Sequence, residues 1–310
     1  MNPKDEQAVQ GGIVAESRHS FGGSWTELKL DLVASYLESY STALKNKGFG
    51  KIYVDAFAGT GYREMIGEES ETLALLQEAE EEAARIFAGS ARLSLQVSHP
   101  FDRYVFIEKS PKRMKELRGI QSEYPQLAME FLADDANRAI PELCRTVDWH
   151  NNRAVLFLDP YGMAVDWDTM ETIAQTEAID VWILFPVGIG VNRLLRQRLE
   201  DIPASWRKKL DRLFGTADWQ AAFYKADPQG VLPAFEDARA CKVSQPIRTI
   251  TKFYQERLAT IFPKVAPEPR CLCNSKNSPM FILAFAVASR YKPAQDLAMK
   301  LARHVLKSTP

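Results

Sequence analysis

Two short stretches of this sequence combine residue types that could hold a small ligand and orient a reacting group. Residues 55–61 read Asp-Ala-Phe-Ala-Gly-Thr-Gly, and residues 159–162 read Asp-Pro-Tyr-Gly. Each follows a run of apolar and β-branched residues, which is typical of a buried strand. A carboxylate at a strand end is a hydrogen-bond acceptor, and glycines let the backbone turn and approach a ligand closely. We therefore expect ligand binding where these strands end.

The glycine-rich stretch narrows the class of ligand. A dinucleotide fingerprint needs Gly-x-Gly-x-x-Gly, but Glu64 stands in place of the third glycine. A P-loop is excluded because no Gly-Lys-Ser/Thr follows. The alternative to a ligand-binding loop is that this stretch is an ordinary glycine-rich turn. The position fits a loop after the first strand of an open α/β sheet, where such sheets bind cofactors.

Acidic residues follow two further predicted strands. Glu108 ends one apolar run and could accept hydrogen bonds from both hydroxyls of a ribose, although a capping role is the alternative. Residues 133–137, Ala-Asp-Asp-Ala-Asn, follow the next run, at 127–132. Their carboxylates and amide suit the amino group and ring nitrogen of an adenine. They equally suit capping of the helix that begins near Asn137.

The tetrapeptide at 159–162 could orient an amine. Because proline fixes φ, the Asp159 carboxylate and the neighbouring carbonyl have little freedom. These two acceptors could hold a planar exocyclic amine while Tyr161 stacks on its ring. Lys29 lies one turn into a predicted helix and could reach a ligand carboxylate, or it could be a solvated surface lysine.

The elements that would position these residues alternate between strand and helix patterns. Five strand–helix units and a closing antiparallel hairpin indicate an α/β fold, a doubly wound sheet of mostly parallel strands with one antiparallel edge strand. A helix capped by Ser24 precedes the first strand, and an acidic amphipathic helix is predicted at 66–88. The strands are predicted at 51–56, 104–108, 127–132, 153–158 and 178–186, and the hairpin at 270–273 and 281–288.

Residues 190–262 are helical by pattern and longer than one crossover needs, so we predict a helical insertion there. We expect residues 1–18 to be loose and residues 19–310 to form one domain. Within the insertion, basic residues are interleaved with aromatics. They are the best candidates for contacts with nucleic-acid phosphates, although a helix with one solvated and one core face is the alternative. The candidates are Arg193, Arg196, Arg207 and Lys208.

Composition limits the function classes. The formal net charge of −1 over 310 residues predicts no global attraction to nucleic acid. The absence of any apolar run near ~18 residues predicts no membrane span and no signal peptide, hence a cytoplasmic protein. Cys271 and Cys273 would face the same side of a strand. Because no second Cys/His pair lies nearby in sequence, we predict no metal site.

The ordered set of motifs resembles the three-Cys-motif partner (TcmP) family over roughly residues 19–305. The family name refers to a cysteine motif in a neighbouring partner protein, so the resemblance implies such a partner. It also implies a Rossmann-like methyltransferase fold with S-adenosylmethionine (SAM) as the cofactor. The segments that carry it are 21–29, 53–61, 89–91, 106–108, 135–137, 157–162 and 179–186.

The tetrapeptide at 159–162 is similar to the Asp-Pro-Pro-Tyr motif of adenine N6-methyltransferases and to the Asp-Pro-Phe-Gly motif of tRNA guanine-N2 dimethyltransferases. Both classes modify exocyclic amines of bases. The resemblance implies that catalysis involves Asp159, Pro160 and Tyr161. It implies a cofactor site formed by Lys29, Asp55, Phe57, Gly59, Gly61, Glu108, Asp135 and Ala136.

Three functions follow as hypotheses. The first is a SAM-dependent N-methyltransferase that acts on an exocyclic amine of a nucleobase in RNA or DNA. The second is a non-catalytic protein of the same fold that binds a partner or nucleic acid in a phage-related system. The third is a methyltransferase for a small molecule or a protein, which the near-neutral charge favours.

Overall fold

The structure is a computed structural model that describes residues 24–57, 91–160, 163–226, 240–274 and 276–307. A mixed β-sheet forms its centre. The strands are β1 (Gly50–Asp55), β2 (Arg103–Ile107), β3 (Met129–Leu132), β4 (Asn152–Leu158), β5 (Ile179–Phe185), β6 (Tyr224–Ala226), β7 (Ala240–Lys242), β8 (Lys264–Val265), β9 (Arg270–Cys273) and β10 (Pro279–Val287).

Helices cover both faces of this sheet. Among the helices that the structure describes, none combines the length and the apolarity that crossing a bilayer requires. A π-helix, Val187–Asn192, directly follows β5. The α-helices are α1 (Ser24–Leu44), α2 (Pro111–Ile120), α3 (Ala136–Thr146), α4 (Trp167–Gln175), α5 (Ala204–Phe214), α6 (Trp219–Phe223), α7 (Pro246–Ile261) and α8 (Lys292–Lys307).

The strand order confirms the predicted fold class. The sheet runs β3-β2-β1-β4-β5-β10-β8, and β9 also pairs with β10. Strands β1 to β5 are parallel, whereas β10 is antiparallel to β5. The chain winds outward in one direction from β1 and in the other from β4, which is the doubly wound arrangement of a Rossmann-like sheet. One difference is that the antiparallel strand β10 does not form the edge, because β8 and β9 cover its outer side.

Alternating side chains along the strands build two cores. In β1, Ile52 and Val54 join the core under α3, α4 and α7, whereas Tyr53 joins the core under α1, α2 and α8. The same alternation in β4 sends Leu156 to the first core and Phe157 to the second. The sheet is therefore covered on both faces, as its apolar strands predicted.

The insertion at 190–262 is only partly helical. It contains α5, α6 and α7, as the pattern predicted, and also a separate two-stranded sheet in which β6 and β7 pair. This small sheet was missed because each strand has only three residues, which is too short for a period-2 pattern to appear. The N-terminus at 1–18 and the acidic helix at 66–88 lie outside the described residues.

A buried carboxyl group lies on the α1 side of the sheet, at the start of β5. Asp180 is 8% exposed, and the hydroxyl of Tyr36 donates a 2.8 Å hydrogen bond to its Oδ2. The rings of Trp182 and Phe285 surround Tyr36 at centroid distances of 5.1 and 5.2 Å. Burial raises the pKa of Asp180 from 3.8 to about 7, an effect that the Tyr36 hydrogen bond only partly offsets.

The variant Asp180→Asn should remove a pH-dependent loss of stability. The folded protein keeps a proton on Asp180 that the unfolded chain releases above about pH 4. Wild-type stability should therefore fall as the pH rises toward 7, by about 4 kcal/mol at most, and the Asn variant should lack this fall. Urea unfolding across this pH range measures it.

The matched control is Asp31→Asn, at an exposed position of α1, which should reproduce the wild-type pH profile. An Asp180→Asn profile with the same slope as the wild type would show that Asp180 does not cause the effect.

Candidate active site at the carboxyl ends of the strands

Three carboxylates stand in a row where β2, β1 and β4 end. Asp55 closes β1, and its register partners are Phe106 in β2 and Phe157 in β4. Glu108 and Asp159 lie two residues beyond those partners, so they face the same side of the sheet as Phe106 and Phe157. That side is the α1 side, and the switch in winding direction lies between β1 and β4. The row thus lies where open α/β sheets bind ligands.

Lys29 brings α1 into this row. Its side chain is 1% exposed, and its Nζ donates to Asp159 Oδ2 at 2.5 Å. The Asp159 side chain is 23% exposed, so the pair lies at the inner wall of the site. The alternative of a solvated surface lysine is therefore wrong. The predicted contact between Lys29 and a ligand carboxylate stays a prediction. The ammonium group already donates a hydrogen bond to Asp159.

Asp55 lies between the other two carboxylates of the row, because β1 lies between β2 and β4. It is 2% exposed at the point where the Ala56 N–H donates to the Phe157 carbonyl at 3.1 Å. Burial raises the pKa of the Tyr53 hydroxyl well above 10, and the carboxylates of Asp55 and Asp159 raise it further. The charges of Asp55 and Asp159 thus both affect the ionisation of the Tyr53 hydroxyl.

One carboxylate oxygen of Glu108 has no hydrogen-bond donor among the described residues. Its side chain is 1% exposed, and Oε1 accepts a 2.5 Å hydrogen bond from the Ser110 N–H, at the start of α2. No group in the described residues donates to the buried Oε2. Burial raises the pKa of Glu108, since a buried carboxylate with one free oxygen is incompletely solvated. The capping role and a ligand role are compatible, because each uses a different oxygen.

Asp135 caps α3, as the second interpretation of residues 133–137 predicted. Its Oδ1 accepts from the Asn137 N–H at 2.9 Å, and its Oδ2 lies 3.7 Å from the Lys109 ammonium. The neighbouring Ala136 is 5% exposed and packs into the core. The contact of Asp135 with an adenine stays a prediction.

The Asn137 amide forms hydrogen bonds within the protein, and its contact with an adenine stays a prediction. Its Nδ2 donates to the Ala164 carbonyl at 2.6 Å, and its Oδ1 accepts from the Asp166 N–H at 2.9 Å. These bonds tie the start of α3 to the segment that follows Asp159. No local sequence pattern indicates this link, because the bonded residues are 27 and 29 positions apart.

The π-helix borders the same edge of the sheet. A Cβ on Gly188 would lie 1.9 Å from the Pro279 carbonyl oxygen, so only glycine fits there. A Cβ on Gly190 would lie 3.7 Å from Met163, four residues beyond Asp159. Single π-turns are frequent at functional sites. This one places the start of the insertion beside the segment that carries Asp159.

The four predicted phosphate-contacting residues fall into two groups. Arg193, Arg196 and Lys208 are exposed, and the Arg196 guanidinium stacks 4.8 Å above the Trp206 ring. Arg207 instead donates to the carbonyl groups of residues 199, 200 and 202 at 2.9, 3.2 and 3.0 Å. These donors hold the loop before α5, and the predicted contact of Arg207 with phosphate stays a prediction.

Arg212, in the last turn of α5, ties the insertion to the site. Its guanidinium pairs with Asp166 Oδ2 at 2.5 Å, and Asp166 is the residue that Asn137 holds. The exposed basic residues of the insertion thus belong to a segment that is anchored at the same edge of the sheet as the carboxylate row.

The remaining predicted site residues are placed as follows. Phe57 is partly buried and packs against the core, and Pro160 is buried behind Asp159. Gly59, Gly61 and Tyr161 lie outside the described residues.

Comparisons with known proteins give structural likenesses only. No family model matches the chain, and no curated protein matches it. The fold is similar to LPL1258 from Legionella pneumophila str. Philadelphia 1, of family-model DUF519, with 12% identity over 92% of each chain and a TM-score of 0.42. It is also similar to a candidate methyltransferase from Thermobifida fusca YX, with 9% identity over 85% of this chain and 82% of that one and a TM-score of 0.33.

A further similar structure is the trans-methyltransferase CalH in complex with SAH, with 12% identity over 84% of this chain and 59% of CalH and a TM-score of 0.33. Proteins described as methyltransferases are thus among the structures that this chain resembles. At these identities and TM-scores the likenesses carry no argument about activity, so the fold rests on the strand order. The resemblance to the TcmP family stays a prediction.

We predict that Lys29 and Asp159 are energetically coupled. Lys29→Met should lower the free energy of unfolding by about 2–3 kcal/mol, because it leaves a carboxylate at the inner wall of the site without its charged partner. In a double-mutant cycle with Asp159→Asn, the two effects should be strongly non-additive. Chemical unfolding of the four proteins measures the coupling.

Lys51→Met is the matched control. Lys51 is a 9% exposed lysine at the opposite end of β1, and its ammonium donates to the Pro100 carbonyl. Its effect should add to that of Asp159→Asn. Equal additivity for Lys29 and Lys51 would contradict the ion pair.

Proposed function

We propose that this protein is a SAM-dependent methyltransferase that acts on an exocyclic amine of a nucleobase in RNA or DNA. The observation that carries the proposal is the row of Asp55, Glu108 and Asp159 at the switch point of a doubly wound sheet, with a buried, unused oxygen on Glu108.

The negative charges of Asp55, Glu108 and Asp159 suit the cationic groups of SAM. The row holds three carboxylates, of which Asp159 pairs with the Lys29 ammonium group. Carboxylates attract a ligand with cationic groups, and SAM carries an ammonium and a sulfonium group. No group of three or more His, Cys, Asp or Glu side chains among the described residues is arranged to hold a metal ion. An organic cation is therefore the better match.

The row also fits the nucleoside part of the cofactor. The free Oε2 of Glu108 accepts a hydrogen bond from a hydroxyl group, and burial makes such a bond stronger than it is in water. Glu108 follows β2, the strand next to β1. A ribose at Glu108 and an amino acid end at Asp55 place a ligand across the ends of two adjacent strands.

When bound, SAM supplies a methyl group on a sulfonium leaving group, so the protein's work is to position the reactants. Lys29 fixes the Asp159 carboxylate through Oδ2, and no described residue donates to Oδ1. Oδ1 accepts a hydrogen bond from one N–H of the substrate amine. Because Pro160 restricts the backbone at Asp159, the adjacent carbonyl would accept from the second N–H and leave the nitrogen lone pair available for methyl transfer.

The basic residues of the insertion favour a nucleic acid over a small molecule. Arg193, Arg196 and Lys208 are exposed on a segment that starts at the π-helix beside the site and is tied back to it by Arg212. Exposed cations at such an edge bind phosphates, whereas the chain as a whole has a formal net charge of only −1. A target base within a duplex is extruded to reach Asp159.

SAM binding should depend on Glu108, and turnover should depend on Asp159. Glu108→Gln should weaken SAM binding about 10–100-fold, since a hydrogen bond to a charged acceptor contributes about 1.5–3 kcal/mol. Asp159→Asn should keep SAM affinity within about threefold and lower the methylation rate at least about 100-fold. Titration calorimetry measures the first effect. Transfer of labelled methyl groups to nucleic acid from cells that lack the protein measures the second.

Glu116→Gln, at an exposed position of α2, is the matched control and should change neither quantity. A wild-type protein that does not bind SAM would contradict the proposal. A protein that binds SAM but transfers methyl groups only to proteins or small molecules would leave the cofactor assignment standing and overturn the substrate.

Nucleic-acid binding should weaken with salt through the exposed basic residues. Arg193→Gln and Lys208→Gln should each lower the salt slope of binding by about 0.9 for duplex DNA, or about 0.7 for a single strand, because each removes one phosphate contact. Fluorescence anisotropy of labelled oligonucleotides at several salt concentrations measures the slope.

Lys300→Gln is the control for this measurement, because Lys300 is exposed on α8, which packs on the other face of the sheet. Arg207→Gln should instead lower the unfolding temperature, since its donors hold the loop before α5. Unchanged slopes in the Arg193 and Lys208 variants would exclude this surface as the phosphate-contacting one.

A further inference from the structure

A pair of thiols lies on β9, away from the carboxylate row. Cys271 is exposed and Cys273 is half-buried, and their Sγ atoms are 3.7 Å apart. The residue between them, Leu272, is 1% exposed and packs into the core under α1 and α8. Because side chains alternate along a strand, this anchor turns both thiols to the opposite side. The separation of the two sulfurs is thus set by the strand.

This pair is poorly placed to form a disulfide. Residues i and i+2 of a strand have Cα atoms roughly 6.8 Å apart, which is the upper limit for an unstrained disulfide. The sulfurs would also have to approach from 3.7 Å to about 2.05 Å while β9 stays paired with β10. The strand therefore favours two free thiols over a disulfide.

The same separation suits two bonds to one metal ion. A metal–thiolate bond is roughly 2.3 Å long, and two such bonds at the tetrahedral angle place the sulfurs roughly 3.8 Å apart. The observed 3.7 Å agrees with this value without a rotamer change. Thiolates prefer soft ions over hard ones such as magnesium or calcium.

The thiols face away from the nearby cavity. That cavity, of about 380 Å³, is lined by Arg303 and Lys307 of α8, so it lies on the side of β9 where Leu272 packs. Among the described residues, no third Cys, His, Asp or Glu side chain joins the pair in an arrangement that could hold a metal. A closed four-residue zinc site is therefore not formed by these residues, and a bound ion keeps open positions toward solvent.

We propose that Cys271 and Cys273 form a two-thiolate clamp for a soft, thiophilic metal ion, whose remaining coordination positions are open to small ligands from solvent. Binding breaks two S–H bonds, forms two metal–sulfur bonds and releases two protons to solvent, with no change in oxidation state. The clamp revises the expectation of no metal site, which was based on closed tetrahedral sets of Cys and His.

Cadmium is a suitable probe, because cadmium thiolates absorb in the ultraviolet. Anaerobic titration of the reduced full-length chain with Cd²⁺ should give a thiolate-to-cadmium absorption band that saturates at one ion per chain. Cys271→Ser and Cys273→Ser should each lower the affinity at least about tenfold, since each leaves one thiolate as the protein ligand. Both positions lie at the edge of the sheet, so serine should preserve the fold, which circular dichroism checks.

Cys144→Ser is the control, because Cys144 is a buried thiol on α3 in the other core. Its band and affinity should equal those of the wild type. The proposal is overturned if the wild-type chain gives no band, if either single variant binds as tightly as the wild type, or if the band persists when both Cys271 and Cys273 are serine. Phenylarsine oxide, which needs two adjacent thiols, should add to the wild type and to neither single variant in intact mass spectra.

Discussion

The ion pair between Lys29 and Asp159 joins the first helix to the centre of the sheet, and the candidate site depends on it. Asp55, Glu108 and Asp159 lie in a row on adjacent strands, where like charges repel one another. The buried ammonium group of Lys29, which α1 brings to the row, offsets part of that repulsion. The pair also fixes the orientation of Asp159. One interaction therefore contributes to the stability of the strand ends and to the placement of the acceptor proposed to hold the amine.

The position of the row follows from the geometry of parallel strands. Neighbouring parallel strands end at one edge, and alternate residues share a face, so the acids after β1, β2 and β4 converge without any special loop. This is why the acids could be predicted from apolar runs followed by Asp or Glu. The same period of two predicted that Cys271 and Cys273 face one side of β9.

The pairings across the site could not be predicted in the same way. Lys29 and Asp159 are 130 residues apart, and no local pattern connects them. Glu108 was predicted as either a ligand residue or a cap, and only the coordinates show that each role uses a different oxygen. Arg207 and Asn137 have the residue types of ligand contacts, but their donors and acceptors are used by nearby backbone groups. The sequence showed which side chains can form hydrogen bonds and ion pairs, whereas the tertiary structure was needed to show which partners they have.

The insertion adds exposed basic residues at the edge of the sheet where the carboxylate row lies. It starts with a π-helix packed against β10, and it is tied back by Arg212 to the segment after Asp159. A substrate that reaches Asp159 is therefore expected to pass the exposed basic residues of this segment. The thiol pair lies beyond β10, so a metal there acts separately from the carboxylate row.

The most direct test of the central claim is a crystal structure of the protein with S-adenosylhomocysteine, the demethylated form of the cofactor. The account predicts ribose hydroxyls within hydrogen-bond distance of Glu108 Oε2, the amino group of the ligand at Asp55, and the Lys29–Asp159 pair intact beside the sulfur. A ligand bound elsewhere, or turned so that Glu108 and Asp55 do not contact it, would contradict the account.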